Sequence, residues 1–232
     1  MQWTTLAEQL FGTHHTVRAD GDFLSGTADF DGATIAVVGS TNHAPVGVAM
    51  ALQQARVVLD TIVQHPGRAI LLFVDTQGQQ LRRRDELLGI NRAMAHLGCC
   101  IDLARKRGHR VIGLVYDQAL SGGFITSGLI ADACYALPQA EIRVMRIPAM
   151  ARVTKISEAR LTELSKANPV FAPGVQNYVA MGGVRALWTG DLRACLRDAL
   201  LNSPTVDERA HDGAVRGGRR LAEAVAQRVL AA

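Results

Sequence analysis

Ala69-Ile-Leu-Leu-Phe-Val74, followed at once by Asp75-Thr76-Gln77-Gly78, is the segment whose reading decides the fold. Its apolar run has no polar face, so it reads as a strand buried on both sides, as in the centre of a parallel sheet covered by helices. The polar tetrapeptide after it reads as a strand-exit turn. Upstream, Ala33–Val38 closed by Gly39-Ser40 has the same character, and so, downstream, does Val111–Tyr116. Helical spacing fills the intervals. Val48, Leu52, Ala55, Leu59 and Ile62 predict a helix over 46–65 that Pro66-Gly67 stops. Leu88, Ile90, Met94, Leu97, Ile101 and Ala104 predict a long helix over 85–107, with acids in its first turn, Arg105-Lys106-Arg107 in its last and Gly108 as C-cap. Gly122-Gly123 is expected to open an apolar helix from Phe124 to about Tyr135, before a strand over Glu141–Met145. This alternation implies right-handed βαβ crossovers, a mainly parallel sheet and the α/β class.

Three regions follow. Residues 1–30 are polar and loop-like, with Gly21 and Gly26; residues 31–150 form the α/β core. Residues 151–232 turn to amphipathic helices, expected to belong to the same domain and to a subunit interface. Within them Ser157 is an expected N-cap, Leu161 and Leu164 a buried edge, Asn168-Pro169 a break, and the stretch from Gly213 onward a basic, alanine-rich helix.

Of the 232 residues 48% are hydrophobic and 20% charged, the balance of a chain with a substantial core. A net charge of +4 with 5% aromatic residues gives no footprint for nucleic acid. The start, Met1-Gln-Trp-Thr-Thr5, has neither the basic nor the apolar region of a secretory signal, and no apolar run approaches the ~20 residues of a membrane span. Cys99, Cys100, Cys134 and Cys195 form no CxxC pair and are expected as buried thiols in a reducing compartment. A cytoplasmic location is the expectation.

Neither G-x-x-x-x-G-K-[ST] nor a strand followed by G-x-G-x-x-G occurs, so P-loop and Rossmann sites are not expected. No H-E-x-x-H or spaced His pair suggests a metal; His14 and His15 are adjacent. His43, in the turn after the first buried strand, is the histidine least readily assigned a structural role. Ser121-Gly122-Gly123-Phe124 carries more information. Two glycines at a strand-to-helix junction let the backbone turn tightly, and the first amides of a helix lack internal partners at the positive end of its dipole. Such N–H groups suit an oxygen that gains negative charge; alternatively, the glycines serve close packing alone. Gly78 offers a second amide at the neighbouring strand end, or a plain turn. Arg82-Arg83-Arg84 is either a solvated face or a contact for phosphates.

Taken together, Leu71–Gly78, Glu86-Leu-Leu-Gly-Ile90, Val111–Tyr116 and Ser121–Phe124 resemble the carboxyltransferase half of acyl-CoA carboxylases. There a DTPG-like turn, an E-x-x-G-I helix start and a YGGA-like loop occur in this order. Asp132-Ala133 and Leu137-Pro-Gln-Ala140 continue the likeness. Ser121–Gly128, Arg146-Ile-Pro-Ala-Met-Ala-Arg152 and Pro169-Val-Phe-Ala-Pro-Gly174 are similar to the gamma subunit of biotin-independent malonate decarboxylase, over roughly residues 30–195. The resemblance implies a crotonase-like fold and decarboxylation of a malonyl thioester to an acetyl thioester and CO2. It implies a homologous beta subunit, an acyl carrier protein with a phosphopantetheine or dephospho-CoA-type arm, an acyltransferase subunit, and no prosthetic group on this chain. It carries a backbone oxyanion hole onto Gly123 and Phe124, with Gly122 shaping the turn of the same loop, Gly78 as a further donor, and Gln77, Thr126, Arg82 and Arg83 as substrate contacts. The chain departs from the pattern at Ser121 (Tyr in the family), Phe124 (a small residue) and Gln77 (Pro). The proton donor is not visible, and falls to a partner or to water. Two rival readings are transfer of the carboxyl group to biotin, although no Met-Lys-Met carrier segment occurs here, and a non-catalytic scaffold.

Overall fold

The computed structural model describes residues 1–167, 174–219 and 221–232. Its sheet comprises β1 (Arg18–Asp20), β2 (Phe23–Phe30), β3 (Ala33–Ser40), β4 (Ile70–Thr76), β5 (Val111–Leu120), β6 (Ala133–Ala136) and β8 (Ala186–Leu187) in that spatial order, with β7 (Glu141–Arg143) beside the far end of β5. β1–β2 and β2–β3 pair antiparallel; from β3 to β8 every pairing is parallel. β4 is buried along its whole length, as its apolar run requires. Its side chains divide between two cores by strand alternation. Leu71 and Phe73 join Ile112, Leu114 and Tyr116 under α1 (Trp3–Phe11) and α9 (Leu192–Asn202). Ile70 and Leu72 face Ala55 and Val58 of α2 (Val48–Gln64) and Leu97 and Ile101 of α4 (Ile90–Lys106).

Residues 1–30 are not a loop. α1 buries Leu6, Ala7, Leu10 and Phe11 on one face, an i, i+1, i+4, i+5 pattern that average polarity conceals. β2 and β3 form a hairpin whose turn, Asp31-Gly32, has both residues left-handed (φ 50° and 82°), the chemistry of a tight two-residue connection. Asp31 then accepts from Arg197 Nε at 2.6 Å and Arg193 Nη2 at 2.9 Å, tying this turn to α9. Arg197, and next to it Arg193, holds the Asp31 carboxyl below the usual carboxylate range against a smaller opposing effect of burial.

The predicted helix over 85–107 is broken into α3 (Arg83–Leu87) and α4, because Gly89 adopts φ 77° and ends one helix before the next begins. The helix expected from Phe124 to Tyr135 is also corrected. α5 (Ser121–Phe124) is a single turn, followed by a π-helical turn (Ile125–Leu129), and the chain then enters β6. Asp132 directs that change: its carboxylate accepts from Val111 N–H and from Arg105 Nε, each at 2.8 Å, and so sets β6 parallel to β5. The next strand, expected over 141–145, ends at Arg143, whereas β5 runs beyond Tyr116 to Leu120.

The C-terminal part holds α6 (Ile147–Thr154), α7 (Glu158–Ala167), α8 (Val175–Ala180), α10 (Arg209–Val215) and α11 (Ala222–Leu230), but also β8, so it is not purely helical. Ser157 caps α7 through its hydroxyl to Arg160 N–H, Leu161 is buried and Leu164 half-buried. Asn168-Pro169 lies outside the described residues. Of the cysteines, Cys100 and Cys134 are buried, the latter on a strand rather than a helix, while Cys99 is exposed and Cys195 half-buried.

Two outcomes follow from this packing. Leu10→Ala removes a fully buried side chain that joins α1 to the sheet, and is expected to cost about 2–5 kcal/mol in denaturant unfolding of the full chain. A cost below about 1 kcal/mol would show α1 to be dispensable to the core. Asp31→Asn keeps a left-handed turn that Asn tolerates but loses the carboxylate. A carboxyl held below its ordinary range contributes stability at neutral pH, lost as pH falls through the lowered native value. The variant should therefore melt below the parent near neutrality, with the gap closing in acid; a pH-independent gap in thermal unfolding would refute the ion-pair account.

Candidate active site

β3, β4 and β5 run parallel, so their carboxyl ends and the loops that follow share one edge of the sheet. Backbone bonds zip two of these loops together. Gln77 N–H donates to the His43 carbonyl at 3.2 Å, Val46 N–H to the Gly78 carbonyl at 2.8 Å, and Gln80 N–H to the Val46 carbonyl at 2.9 Å. The buried Thr76 hydroxyl adds a bond to the Ala44 carbonyl at 2.7 Å.

The third loop, after β5, closes onto the Gly78 turn by direct backbone contact. A Cβ at Gly123 would lie 2.6 Å from the Gly78 carbonyl carbon and 2.7 Å from its oxygen, so only glycine fits. Ser121 is held at φ 50°, a region costly for a residue with a Cβ, and its hydroxyl is bonded to the Val144 carbonyl. Gly122 N–H donates to Gln79 Oε1 at 3.2 Å. Among the described residues, Gly123 N–H has no hydrogen-bond partner. Thr126 Oγ1 donates to the Gly122 and Gly123 carbonyls at 3.1 and 3.3 Å, and Ser127 Oγ to the Gly123 carbonyl at 2.7 Å. These bonds fix the orientation of the two peptide planes. Phe124 is buried, its ring edge-on to Tyr178.

This geometry sorts the residues singled out from the sequence. Gly78, Gly122, Gly123 and Phe124 are brought together. Gly78 N–H is already engaged by Thr76 Oγ1 at 3.1 Å, so Gly78 serves as the wall on which Gly123 packs rather than as a free donor. Thr126 is spent on the loop's own carbonyls. Gln77, Arg82 and Arg83 are exposed, the arginines at the start of α3 beside the exposed Leu81, Leu87 and Leu88. Because α5 is a single turn, the donors owe little to a helix dipole; their direction comes from the loop itself.

Sequence reasoning missed Gln79 and underweighted Asp75 and His43. Asp75 is 3% exposed; its Oδ2 accepts His43 N–H at 2.9 Å and its Oδ1 accepts Gln118 N–H at 3.3 Å. Burial raises its pKa above the ordinary value, with the His43 N–H bond acting in opposition. A carboxylate ending a wholly apolar strand was the available signal. His43 Nε2 lies 3.5 Å from Asp75 Oδ1 and 3.4 Å from Asp117 Oδ1. Tyr116, its pKa raised by burial, donates to the Ser40 carbonyl beside them at 2.9 Å. The arrangement offers two adjacent amides for an oxygen with developing charge, and a separate imidazole held against carboxylates.

Residues 41–232 match the family model described as malonate decarboxylase gamma subunit. The chain belongs to that family. A curated relative, the malonyl-S-ACP:biotin-protein carboxyltransferase of Malonomonas rubra, is 37% identical over 134 residues, covering 56% of this chain and 46% of the relative. The chain thus matches less than half the length of that protein. Among solved structures, a Pseudomonas malonate decarboxylase hetero-tetramer in complex with coenzyme A superposes with a TM-score of 0.81 at 26% identity, covering 97% of this chain and 96% of that one. The Pseudomonas MdcD–MdcE hetero-dimer gives 0.76 at 27% identity, with the same coverage of both chains. The transcarboxylase 12S core, at 19% identity and a TM-score of 0.71 over 85% of this chain and 40% of that one, shares the crotonase-like fold.

For this gamma-subunit family member, the close approach of the two exit loops predicts a contrast between neighbouring glycines. Gly123→Ala drives a methyl group into the Gly78 backbone and should cost about 1–3 kcal/mol. At Gly122 a Cβ would meet only the ends of Gln79 and Met94, at 3.4 Å, so Gly122→Ala should stay within about 1 kcal/mol of the parent. Chemical denaturation of both variants checks this; equal costs would dissolve the contact.

Proposed function

We propose that this chain acts as the gamma subunit of a malonate decarboxylase assembly, a carboxy-lyase that converts a malonyl thioester to an acetyl thioester and CO2. The malonyl group arrives on the phosphopantetheine or dephospho-CoA-type arm of an acyl carrier protein, loaded by an acyltransferase subunit. A homologous beta subunit completes the site, in the cytoplasm. The hetero-dimeric and hetero-tetrameric assemblies of the structural relatives support that partnership. So does α11, which buries none of its residues and exposes Val225 and Val229, with Leu221 exposed just before it at the same helical spacing. No helix among the described residues is long and apolar enough to cross a membrane.

Loss of CO2 leaves an electron pair that the thioester carbonyl takes up as an enolate, so charge accumulates on one oxygen. Backbone amides fixed in advance stabilise that charge without reorganising, and one donor is typically worth about 2.7–4 kcal/mol of barrier. The observation that carries the reading is the Gln79 side-chain carbonyl on Gly122 N–H, beside the N–H of Gly123, which has no hydrogen-bond partner among the described residues. A carbonyl oxygen already occupies the place where the thioester oxygen is proposed to bind. Substrate would displace Gln79 and engage both amides.

Two variants of the assembled complex test this by CO2 release from malonyl thioester. Gly123→Ala shifts the donor and should lower kcat about a hundredfold or more while co-purification with the partners persists. Gln79→Ala removes the internal competitor and should lower KM severalfold. Parental turnover in the first variant, with the complex intact, would overturn the oxyanion assignment.

A second reading, carboxyl transfer to biotin, is favoured by the 37% identity to the Malonomonas carboxyltransferase. Turnover unaffected by avidin would exclude it.

A further inference from the structure

Two adjacent hydroxyls interrupt the apolar run Phe124-Ile125-Thr126-Ser127-Gly128-Leu129-Ile130. Within a helical turn a Thr or Ser hydroxyl ordinarily folds back onto a carbonyl three or four residues earlier. Here that habit falls on the loop that carries the proposed site. Thr126 Oγ1 lies 3.1 Å from the Gly122 carbonyl and 3.3 Å from the Gly123 carbonyl. The buried Ser127 donates to the Gly123 carbonyl at 2.7 Å. A hydroxyl has one proton to give. Ser127 supplies Gly123, and the shorter contact of Thr126 serves Gly122.

What that bond does depends on the peptide group it falls on. The Gly122 carbonyl and the Gly123 N–H belong to one planar, conjugated peptide. Its oxygen accepts twice, from Thr126 Oγ1 and from the Ile125 N–H at the end of α5. Its N–H has no hydrogen-bond partner among the described residues. A peptide that accepts at its oxygen becomes a better donor at its nitrogen, because each bond polarises the next, by about 10–30%. Elsewhere the same side-chain geometry has no such outlet. Thr61 donates to the Val57 carbonyl, but the N–H of that peptide, on Val58, lies well inside α2 and is paired within the helix. The Gly122–Gly123 peptide is polarised at its oxygen and open at its nitrogen.

We propose that Thr126 is a positioning residue that strengthens the Gly123 N–H as a donor to the enolate oxygen, acting through the Gly122 carbonyl; this rests on the decarboxylase reading above. Thr126 touches no reacting atom in this role, and its proton stays on the Gly122 carbonyl throughout. A more polar donor gains more against a charged oxygen than against a neutral one, since the attraction scales with the charge it meets. The contribution of Thr126 therefore grows as the thioester carbonyl becomes an enolate. Its signature is a change in kcat with KM held.

Three variants of the assembled complex, assayed by CO2 release from malonyl thioester, test this. Thr126→Val keeps the shape of the side chain and removes the hydroxyl. It should lower kcat roughly two- to tenfold, the weight of one neutral hydrogen bond, with little change in KM. Thr126→Ser returns the hydroxyl and should recover most of the rate. Thr126→Ala removes the hydroxyl from a half-buried position without adding apolar bulk. It should match the valine variant, and it carries the test if that variant does not assemble. Parental kcat in the variants without the hydroxyl overturns the assignment. So does a loss that serine does not recover, or one matched by a rise in KM and a lower melting temperature, the marks of a loop merely loosened. Loss of turnover in Gly123→Ala beside parental kcat in Thr126→Val sinks this inference alone; parental turnover in both sinks the oxyanion site itself.

Discussion

The contact on which the site depends is between two backbones. Gly123 lies so close to Gly78 that no side chain fits between them. Because each glycine follows directly from a parallel strand, the approach is set by the spacing of β4 and β5 in the sheet, and whatever steadies the sheet steadies the junction. β4 is flanked by two apolar cores, one under α1 and α9 and one under α2 and α4, so neither face can relax to let the exit loops part. Packing thus becomes geometry: two buried layers hold a pair of peptide planes in fixed positions at the rim.

Backbone strain is concentrated at that rim. Ser121, Asn42 and His43 occupy the left-handed region without being glycine, and each is held by a specific bond: a hydroxyl on Val144, a side-chain amide on Asp22, a backbone N–H on Asp75. A rigid scaffold tolerates such conformations where they aim a group that an unstrained loop would turn away. The buried Asp75 shows the same pattern in electrostatic form. It is desolvated, which costs stability at neutral pH, and it is retained with two backbone N–H donors that tie the loop after β3 and the strand β5 to it.

How much of this was legible in the sequence follows from the range of each interaction. The central strands and α2 were readable because continuous apolar runs and helical spacing are local signals. The glycine pair was readable as a tight junction. α1 was missed because two turns of alternating burial are hidden in a polar-looking segment, and the Asp31-Gly32 turn signal was overlooked there. β6 was misread as helix because its apolar residues fit either period; what decides the matter is Asp132, bonded to Val111 and Arg105 far away in the chain. The occupancy of the amides was beyond the sequence altogether. Whether Gly78 or Gly122 keeps a free N–H turns on Thr76 and Gln79 side-chain rotamers, which no spacing rule reports.

That last distinction bears on how the site would work. An amide bonded to its own chain through a flexible side chain is not equivalent to one bonded through backbone. Gln79 can rotate away at the cost of one neutral hydrogen bond, worth about 1 kcal/mol net, whereas Thr76 is buried and also bonded to two carbonyls. In the proposed site an enolate oxygen, being charged, would form the stronger bond to the amide and displace the carboxamide; a neutral thioester oxygen would compete with it almost evenly. Opening the Gln79 bond costs the same in both cases, so internal occupation weakens binding of the neutral thioester without itself favouring the charged intermediate. Stabilisation realised only as charge develops is the kind that raises kcat rather than merely tightening substrate binding, and in the proposed site it comes from the stronger bond of the amides to a charged oxygen, not from the internal bond of Gln79.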